Sequence, residues 1–583
     1  MKYSTIPLAQ AVVAKCQEYN ITSIIISPGS RNAPLTITFT ENSFFTCYSI
    51  VDERCAAFFA LGIAQNTRKP AALVCSSGSA LLNYYPAIAE AYYSQIPLVI
   101  ISADRPEYKL EIGDGQTIQQ QYVFGKHVGY SAILKQDVSH AVAQVEHYRP
   151  EWLKNKSITA LQAIVQNANL KEIDKTLTIA CNKELPVHLN VPLEEPLYNT
   201  QSTPILFEEI SNKPPKTNNI PELQHFSEVW QESERKIVLV GVSYPNTIDK
   251  ELLEKLAKDP TVLVLTETTS NLHHPSFFNS IDTLLAPLEL LEDKAVHFKN
   301  LQPTILLTFG GLIVSKKIKA FLRNYAPKHH WHVGFKKAND TFNCLEAHLE
   351  ITVNSILHCF YQNYTPKESS YFSYWNTIRN KCSTLQEVYL NEIPFSDFSA
   401  FHLVLNAIPN SFQVHLANSS TVRYAQLFNL NPSLQVYCNR GTSGIDGSTS
   451  TALGASQLAV TPTLLITGDL SFFYDSNALW NNYIRKDFRI ILINNSGGGI
   501  FRILPGKEAT ENFERFFETK HTLNGAGLCE MYGFEYENVS DNASLSKALK
   551  DFYTISDKPK LLEVQTPRLM NDKILLDYFR FIS

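Results

Sequence analysis

Residues 463–501 read TLLITGDLSFFYDSNALWNNYIRKDFRIILINNSGGGIF. Two short apolar runs, TLLIT and RIILI, each break off into a loop of small and polar residues, with a helical stretch between them. Apolar runs of this length bounded by turn residues predict strands buried on both faces, and the crossover makes them parallel neighbours. In such sheets ligands gather beyond the carboxyl ends of the strands, where the loops project. Gly468-Asp469 follows the first strand directly, Asn494-Asn495 follows the second, and Gly497, Gly498 and Gly499 stand behind. The crossover therefore predicts Asp469 and Asn495 side by side at one sheet edge.

A carboxylate, an amide oxygen and the backbone carbonyl of Gly497 are hard oxygen donors suited to Mg²⁺, which commonly bridges to phosphates. A helix beginning after Gly468 adds dipole support for an anion. The plainer reading is a helix-capping Asp and an Asn/Gly turn, each common alone. Their joint occurrence at this spacing favours a metal–diphosphate site.

The same strand-then-loop rhythm recurs along the chain. Ile24–Ile26, Ala72–Val74, Pro97–Ile101 and LPVHLNVP (185–192) mark a first block, and KIVLVG (236–241), VLVLTE (262–267) and TILLTFGG (304–311) a second. FQVHLANS (412–419) and LQVYCNRG (434–441) join the opening pair in a third. Residues 199–221 are polar and rich in Pro and Asn, and another polar stretch begins at NYTPKESS (363–370). The expected organisation is α/β, with three doubly wound parallel-sheet domains at 1–198, 222–362 and 398–583. A linker at 199–221 and a helix-containing linker at 363–397 join them.

A length of 583 residues implies about three or four domains. Hydrophobic residues at 44% and charged residues at 18% supply ample core and exclude long-range disorder. A net charge of -5 without a long Lys/Arg run argues against a dedicated nucleic-acid binder. No run of 18 apolar residues appears, and MKYSTIPLAQAVVAKCQEYN lacks the layout of a secretory signal, so the expectation is a cytoplasmic chain without membrane insertion. The 10 cysteines contain no CxxC pair, so neither a zinc ribbon nor a disulfide framework is expected. No GxGxxG follows a strand, which disfavours a nucleotide-dependent dehydrogenase. The adjacent histidines of KHHWH (328–332) point to opposite faces of a strand, so a shared ion is not expected there.

GD followed by NN at this spacing resembles the diphosphate-and-magnesium motif of the thiamine-diphosphate enzymes. The resemblance implies thiamine diphosphate bound by Gly468, Asp469, Leu470, Ser471 and Asn495, with Mg²⁺ or Mn²⁺ held by Asp469, Asn495 and Gly497. It also implies a catalytic glutamate in the first domain. Glu53, in IVDERCAAFFALGIA (50–64), stands at the matching place. That carboxyl contacts the pyrimidine ring and helps the cofactor's own amino group deprotonate its thiazolium carbon. A first-turn helix carboxylate is the plainer reading of Glu53 taken alone.

Within that superfamily, six segments resemble the synthases of menaquinone biosynthesis that make 2-succinyl-5-enolpyruvyl-6-hydroxy-3-cyclohexene-1-carboxylate. They are ISPGSRNAPL (26–35), VDERCAAFFALG (51–62), ISADRPEY (101–108), NRGTSGIDGSTSTALG (439–454), TGDLSFFYDSNAL (467–479) and GGGIFRILP (497–505). GD followed by Leu separates the chain from pyruvate decarboxylases and acetohydroxyacid synthases. The likeness covers most of the first and third domains and is weak in the middle one.

The resemblance implies decarboxylation of 2-oxoglutarate and 1,4-addition of the resulting succinyl carbanion to isochorismate, with release of CO₂. Each substrate carries two carboxylates, and Arg binds carboxylates bidentately without losing its proton. Ser30, Arg31, Arg105 and Gln116 match the family's positions for isochorismate. Ser419, Arg423 and Arg440 match those around the oxo-acid, with Ser419 also at the cofactor. Ile500, Phe501 and Leu504 match an apolar wall, and Ile445 matches the aliphatic residue that props the cofactor into its bent form. The superfamily builds each site from two subunits, which implies a homodimer or a dimer of dimers.

Two departures stand out. GDGQTIQQ (113–120) places acidic Asp114 two residues before Gln116, where a negative charge opposes carboxylate binding unless it points away. Lys316-Lys317 occupies the place where relatives carry a basic pair toward the substrate. The alternatives are another thiamine-diphosphate 2-oxo-acid decarboxylase or carboligase, and a non-catalytic ligand-binding relative.

Overall fold

Runs of Ile, Val and Leu that can be buried on both faces become parallel strands here, each leading into a loop and then a helix. The computed structural model describes residues 2–153, 157–207, 223–503 and 510–583. Leu504 and residues 208–221 of the expected linker lie outside these.

Strand β1 (Tyr3–Ser4) is short. Six parallel strands follow: β2 (Ser23–Ile26), β3 (Thr46–Ser49), β4 (Ala71–Cys75), β5 (Leu98–Asp104), β6 (Tyr130–Ile133) and β7 (Val187–Pro192). Strand β8 (Thr200–Gln201) returns to pair antiparallel with β1. The middle sheet is β9 (Lys236–Val240), β10 (Val262–Leu265), β11 (Ile305–Phe309), β12 (His329–Val333) and β13 (Ala347–Leu349). The third is β14 (Gln413–Leu416), β15 (Gln435–Tyr437), β16 (Thr463–Gly468), β17 (Arg489–Asn494), β18 (Glu535–Val539) and β19 (Lys560–Gln565).

The first sheet runs β3-β2-β4-β5-β7-β6 and the third β15-β14-β16-β17-β19-β18. These are the same order, built twice. In each, the chain reverses direction across the sheet beside its first strand, which leaves a crevice between β2 and β4 and another between β14 and β16. The middle sheet, β10-β9-β11-β12-β13, reverses beside β9.

Contacts divide the chain into two compact units. One comprises Met1–Lys216, Asn439–Val460 and Tyr474–Phe488; the other comprises Thr217–Cys438, Thr461–Phe473 and Arg489–Ser583. In the first unit, the helix Glu53–Thr67 starts because the Asp52 side chain accepts from the Cys55 amide at 3.2 Å. It packs against the helix Ser448–Ser456 at very short range: a Cβ added at Gly454 would meet the Phe59 carbonyl oxygen at 1.9 Å. Asp475, fully buried, joins the two helices. It accepts from the Ser450 amide at 2.7 Å and the Ser450 hydroxyl at 2.8 Å, and lies 3.6 Å from the Arg54 guanidinium. Burial pushes its carboxyl up to about 7, against the opposing pull of those hydrogen bonds and of Arg54. No helix among the described residues is long and apolar enough to cross a membrane.

Candidate active site

The third sheet delivers its loops as the sequence spacing predicts. Gly468 pairs with Ile493 in the β16–β17 register, so Asp469 and Asn495 leave adjacent strands at the same end. Asp469 opens the six-residue helix Asp469–Tyr474. Its Oδ1 accepts from the Leu470 amide at 2.7 Å and its Oδ2 from the Gly497 amide at 2.9 Å. Gly497 holds φ +147°, and a Cβ there would stand 2.7 Å from the Glu518 carbonyl oxygen, so this turn has no room for a side chain. The Gly497 carbonyl accepts from the Gly499 amide at 3.0 Å, which occupies one of its two lone pairs.

Asn495 is held from behind. Its Nδ2 donates to Asp397 Oδ2 at 3.0 Å, which makes its amide oxygen the atom available to a cation. Asp469 and Asn495 are nearly buried, at 3% and 8% exposure. One tight glycine turn thus carries an amide oxygen on Asn495 and the Gly497 carbonyl oxygen, and the Asp469 carboxylate is hydrogen-bonded to that turn. That donor set fits Mg²⁺ or Mn²⁺.

Around this turn stand residues the sequence reading missed. His521 Nε2 lies 3.2 Å from Asp469 Oδ2, and its Nδ1 accepts from the Leu523 amide at 3.1 Å, which assigns the neutral ring's proton to Nε2. Burial pushes the Asp397 carboxyl up to about 6, with the Asp469 charge adding to it. Glu518, 1% exposed, takes an ion pair from Arg502 and a second from Arg568 at 2.7 Å, which fixes the segment after the glycine turn. Ile500 and Phe501 lie half-buried in that segment, Phe501 edge-on to Phe517.

Ser419 follows β14, on one side of the β14–β16 crevice, with Gly468, Leu470 and Ser471 on the other. Its backbone sits at φ +69°, which is costly for a residue other than glycine. Arg423 lies on the short helix Ser420–Ala425 that follows, and its charge reaches Asp282 of the middle sheet's connections. Lys317 pairs with Glu289 and lies over the Phe579 ring, whereas Lys316 is exposed. Of the histidine run, His330 and His332 flank Thr308 at 3.1 and 3.0 Å on one face of β12, and His329 meets Glu346 at 2.8 Å.

In the first unit, Glu53 takes the N-terminal turn of its helix and accepts from Asn83 Nδ2 at 3.3 Å. The buried Cys75 and Tyr84 feel its charge, and burial pushes both their acid groups up. Ser30 is exposed beyond β2. Arg31, next to it, is buried and committed to its own chain: Nη1 donates to the Leu193 carbonyl at 3.1 Å and Nη2 to Glu195 at 2.9 Å. Arg105 leaves the end of β5, and its Nη2 donates to the Gly115 carbonyl at 2.7 Å. Asp114 does not point away: its carboxylate stands 3.6 Å from Arg105 Nη1. Gln116 sits at φ +57° in the same loop.

The loop carrying Arg440 and Ile445 is pinned by Glu90, another residue missed from sequence. That buried carboxylate accepts from the Gly441 amide at 2.6 Å and from the Thr442 amide at 2.6 Å.

The chain is similar to known proteins along its whole length. Residues 6–127 match the family model described as thiamine pyrophosphate enzyme, N-terminal TPP binding domain, and residues 418–564 match its C-terminal TPP binding domain. The 2-succinyl-5-enolpyruvyl-6-hydroxy-3-cyclohexene-1-carboxylate synthase of Christiangramia forsetii is 54% identical over 588 residues, covering 100% of both chains. That of Flavobacterium johnsoniae is 50% identical over 590 residues, again covering 100% of both. That of Porphyromonas gingivalis is 35% identical over 581 residues, covering 97% of this chain and 95% of its own. The chain is a thiamine pyrophosphate enzyme and belongs to the family of 2-succinyl-5-enolpyruvyl-6-hydroxy-3-cyclohexene-1-carboxylate synthases.

Proposed function

We propose that this chain decarboxylates 2-oxoglutarate and adds the resulting succinyl unit 1,4 to isochorismate, releasing CO₂ and 2-succinyl-5-enolpyruvyl-6-hydroxy-3-cyclohexene-1-carboxylate, in menaquinone biosynthesis. The observation that supports the reading is that Asp469 and Asn495 follow the carboxyl ends of the adjacent strands β16 and β17, with the Asp469 carboxylate accepting from the Gly497 amide. When bound, thiamine diphosphate supplies the carbanion chemistry that removes CO₂ and forms the new carbon–carbon bond.

The chain's own residues bind, orient and move protons. Asp469, Asn495 and the Gly497 carbonyl would hold Mg²⁺ or Mn²⁺, and Gly468, Leu470, Ser471 and Ser419 would seat the cofactor's diphosphate. Glu53 would hold and move the proton exchanged with the cofactor's pyrimidine ring, and Ile445 would pack against the cofactor and help orient it. Arg105, Gln116, Ser30 and Arg31 receive isochorismate, with Arg31 giving up its contact to Glu195 to do so. Arg423, Arg440 and Ser419 receive the oxo-acid. Ile500, Phe501 and Leu504 keep water from the apolar face of the reacting centre.

The same reading takes the chain as a cytoplasmic homodimer, or a dimer of dimers, with active sites at the subunit interface and no nucleic-acid partner. Its domains are 1–198, 222–362 and 398–583, joined by 199–221 and 363–397. The test is the consumption of isochorismate and 2-oxoglutarate by protein stripped of metal and cofactor. Both should disappear together only after Mg²⁺ and thiamine diphosphate are restored. Consumption without the cofactor overturns the reading.

A further inference from the structure

The Asn495 side chain has two orientations, related by a half-turn of its terminal amide, that are nearly equal in shape and opposite in chemistry. One turns an oxygen toward the glycine turn; the other turns two N–H donors there and repels a cation. Something must choose between them. The atom behind Asn495 is Asp397 Oδ2, 3.0 Å from Nδ2. An ionised carboxylate only accepts, so it can face the NH₂ group and never the amide oxygen.

Asp397 is itself held in place. Its Oδ1 accepts from the Thr566 hydroxyl at 2.5 Å, and its backbone amide donates to Asn571 Oδ1 at 2.8 Å. Asn571 is in turn fixed by donating to the Pro567 carbonyl at 2.7 Å. Asp397 opens the helix Asp397–Ala407, whose start is set by reciprocal Ser396–Ser399 hydrogen bonds. Its side chain is 3% exposed, and among the described residues no Lys, Arg or His pairs with it. A carboxylate buried without a cationic partner is costly and is not a device for stability.

We infer that Asp397 is the positioning residue that fixes the Asn495 amide with its oxygen toward the bound divalent cation. The inference rests on the reading of Asn495 as a metal ligand, and it names a residue 98 positions away in sequence that acts through the Asn495 side chain. Thr566 serves the same end by fixing the carboxylate.

The test is the Mg²⁺ concentration needed for half-maximal thiamine diphosphate binding, read by titration calorimetry without substrates. Asp397→Leu should raise that concentration about tenfold, the loss expected for one orienting hydrogen bond to a charged group. Asp397→Asn keeps a carbonyl acceptor for Nδ2 and a donor for Thr566, so it should stay within about threefold of wild type. An unchanged Mg²⁺ requirement in a folded Asp397→Leu protein overturns the inference. So does a loss in Asp397→Asn as large as in Asp397→Leu, which would make charge rather than orientation the cause.

Asn495→Ala separates this inference from the reading beneath it. If that variant keeps the wild-type Mg²⁺ dependence, the ligand assignment itself fails. If it loses that dependence while Asp397→Leu does not, only the role of Asp397 falls. Should Asp397→Leu not fold, a crystal structure of wild-type enzyme with Mn²⁺ and thiamine diphosphate decides. Asn495 bound to the metal and still within hydrogen-bond distance of Asp397 supports the inference, and Asn495 turned away from Asp397 overturns it.

Discussion

Arg105 meets a carboxylate even before substrate arrives. Asp114 stands 3.6 Å from one arm of the guanidinium while the Gly115 carbonyl occupies the other. If Arg105 receives isochorismate as proposed, the two carboxylates of that substrate would compete with this internal partner. Because the Asp114 side chain is 42% exposed, the competition is modest. Asp114→Asn should lower KM for isochorismate about two- to fivefold with kcat little changed, in steady-state kinetics at low salt. An unchanged or higher KM contradicts the competition. Glu53 belongs to the same scale. Glu53→Gln should leave cofactor binding largely intact and reduce kcat by about 10²–10⁴-fold, the usual worth of a positioned proton-transfer group. Near-full activity in that variant would remove Glu53 from its role.

At the scale of elements, the pairing of the helices Glu53–Thr67 and Ser448–Ser456 depends on Gly454 and on one buried acid. Asp475 has a folded pKa raised to about 7 from an ordinary value of 3.8. The native state therefore keeps a proton that the unfolded chain releases between those values. The stability from that proton is fully present below about pH 4 and is lost as pH rises through about 7. Asp475→Asn has no such loss and can keep both Ser450 hydrogen bonds. Its melting temperature relative to wild type should move upward by several degrees between pH 5 and pH 8, measured by scanning calorimetry. A difference that stays flat across that range contradicts the buried-charge reading.

Sequence legibility also follows element type. The central strands β4, β5, β16 and β17 read plainly because burial on both faces makes them unbroken apolar runs. The edge strands β6 and β18 do not, and β18 reads Glu535-Tyr536-Glu537-Asn538-Val539 with most of its residues exposed.

For the whole molecule, what was legible was local and what was hidden was distant. Asp469, Asn495 and Gly497 could be placed because one crossover sets them on neighbouring strands. Asp397 and Glu90 could not, since their partners lie 98 and 351 residues away and nothing near them in sequence marks a buried acid as purposeful. The capture of Arg31 by Glu195 is hidden in the same way, across 164 residues. Each of the two compact units gathers three separate stretches of chain, an exchange that order along the sequence does not announce. The repeated strand order of the first and third sheets, by contrast, follows from right-handed crossovers applied twice to similar strings of strand and helix.

The claim that these parts serve one carboligation is tested most directly by following the carbons. Wild-type enzyme with Mg²⁺, thiamine diphosphate and isochorismate would be given uniformly ¹³C-labelled 2-oxoglutarate and observed by NMR. The label should appear as carbon dioxide and as a four-carbon chain bonded to the isochorismate ring, in equal amounts. Labelled succinic semialdehyde accumulating beside unchanged isochorismate would contradict the account.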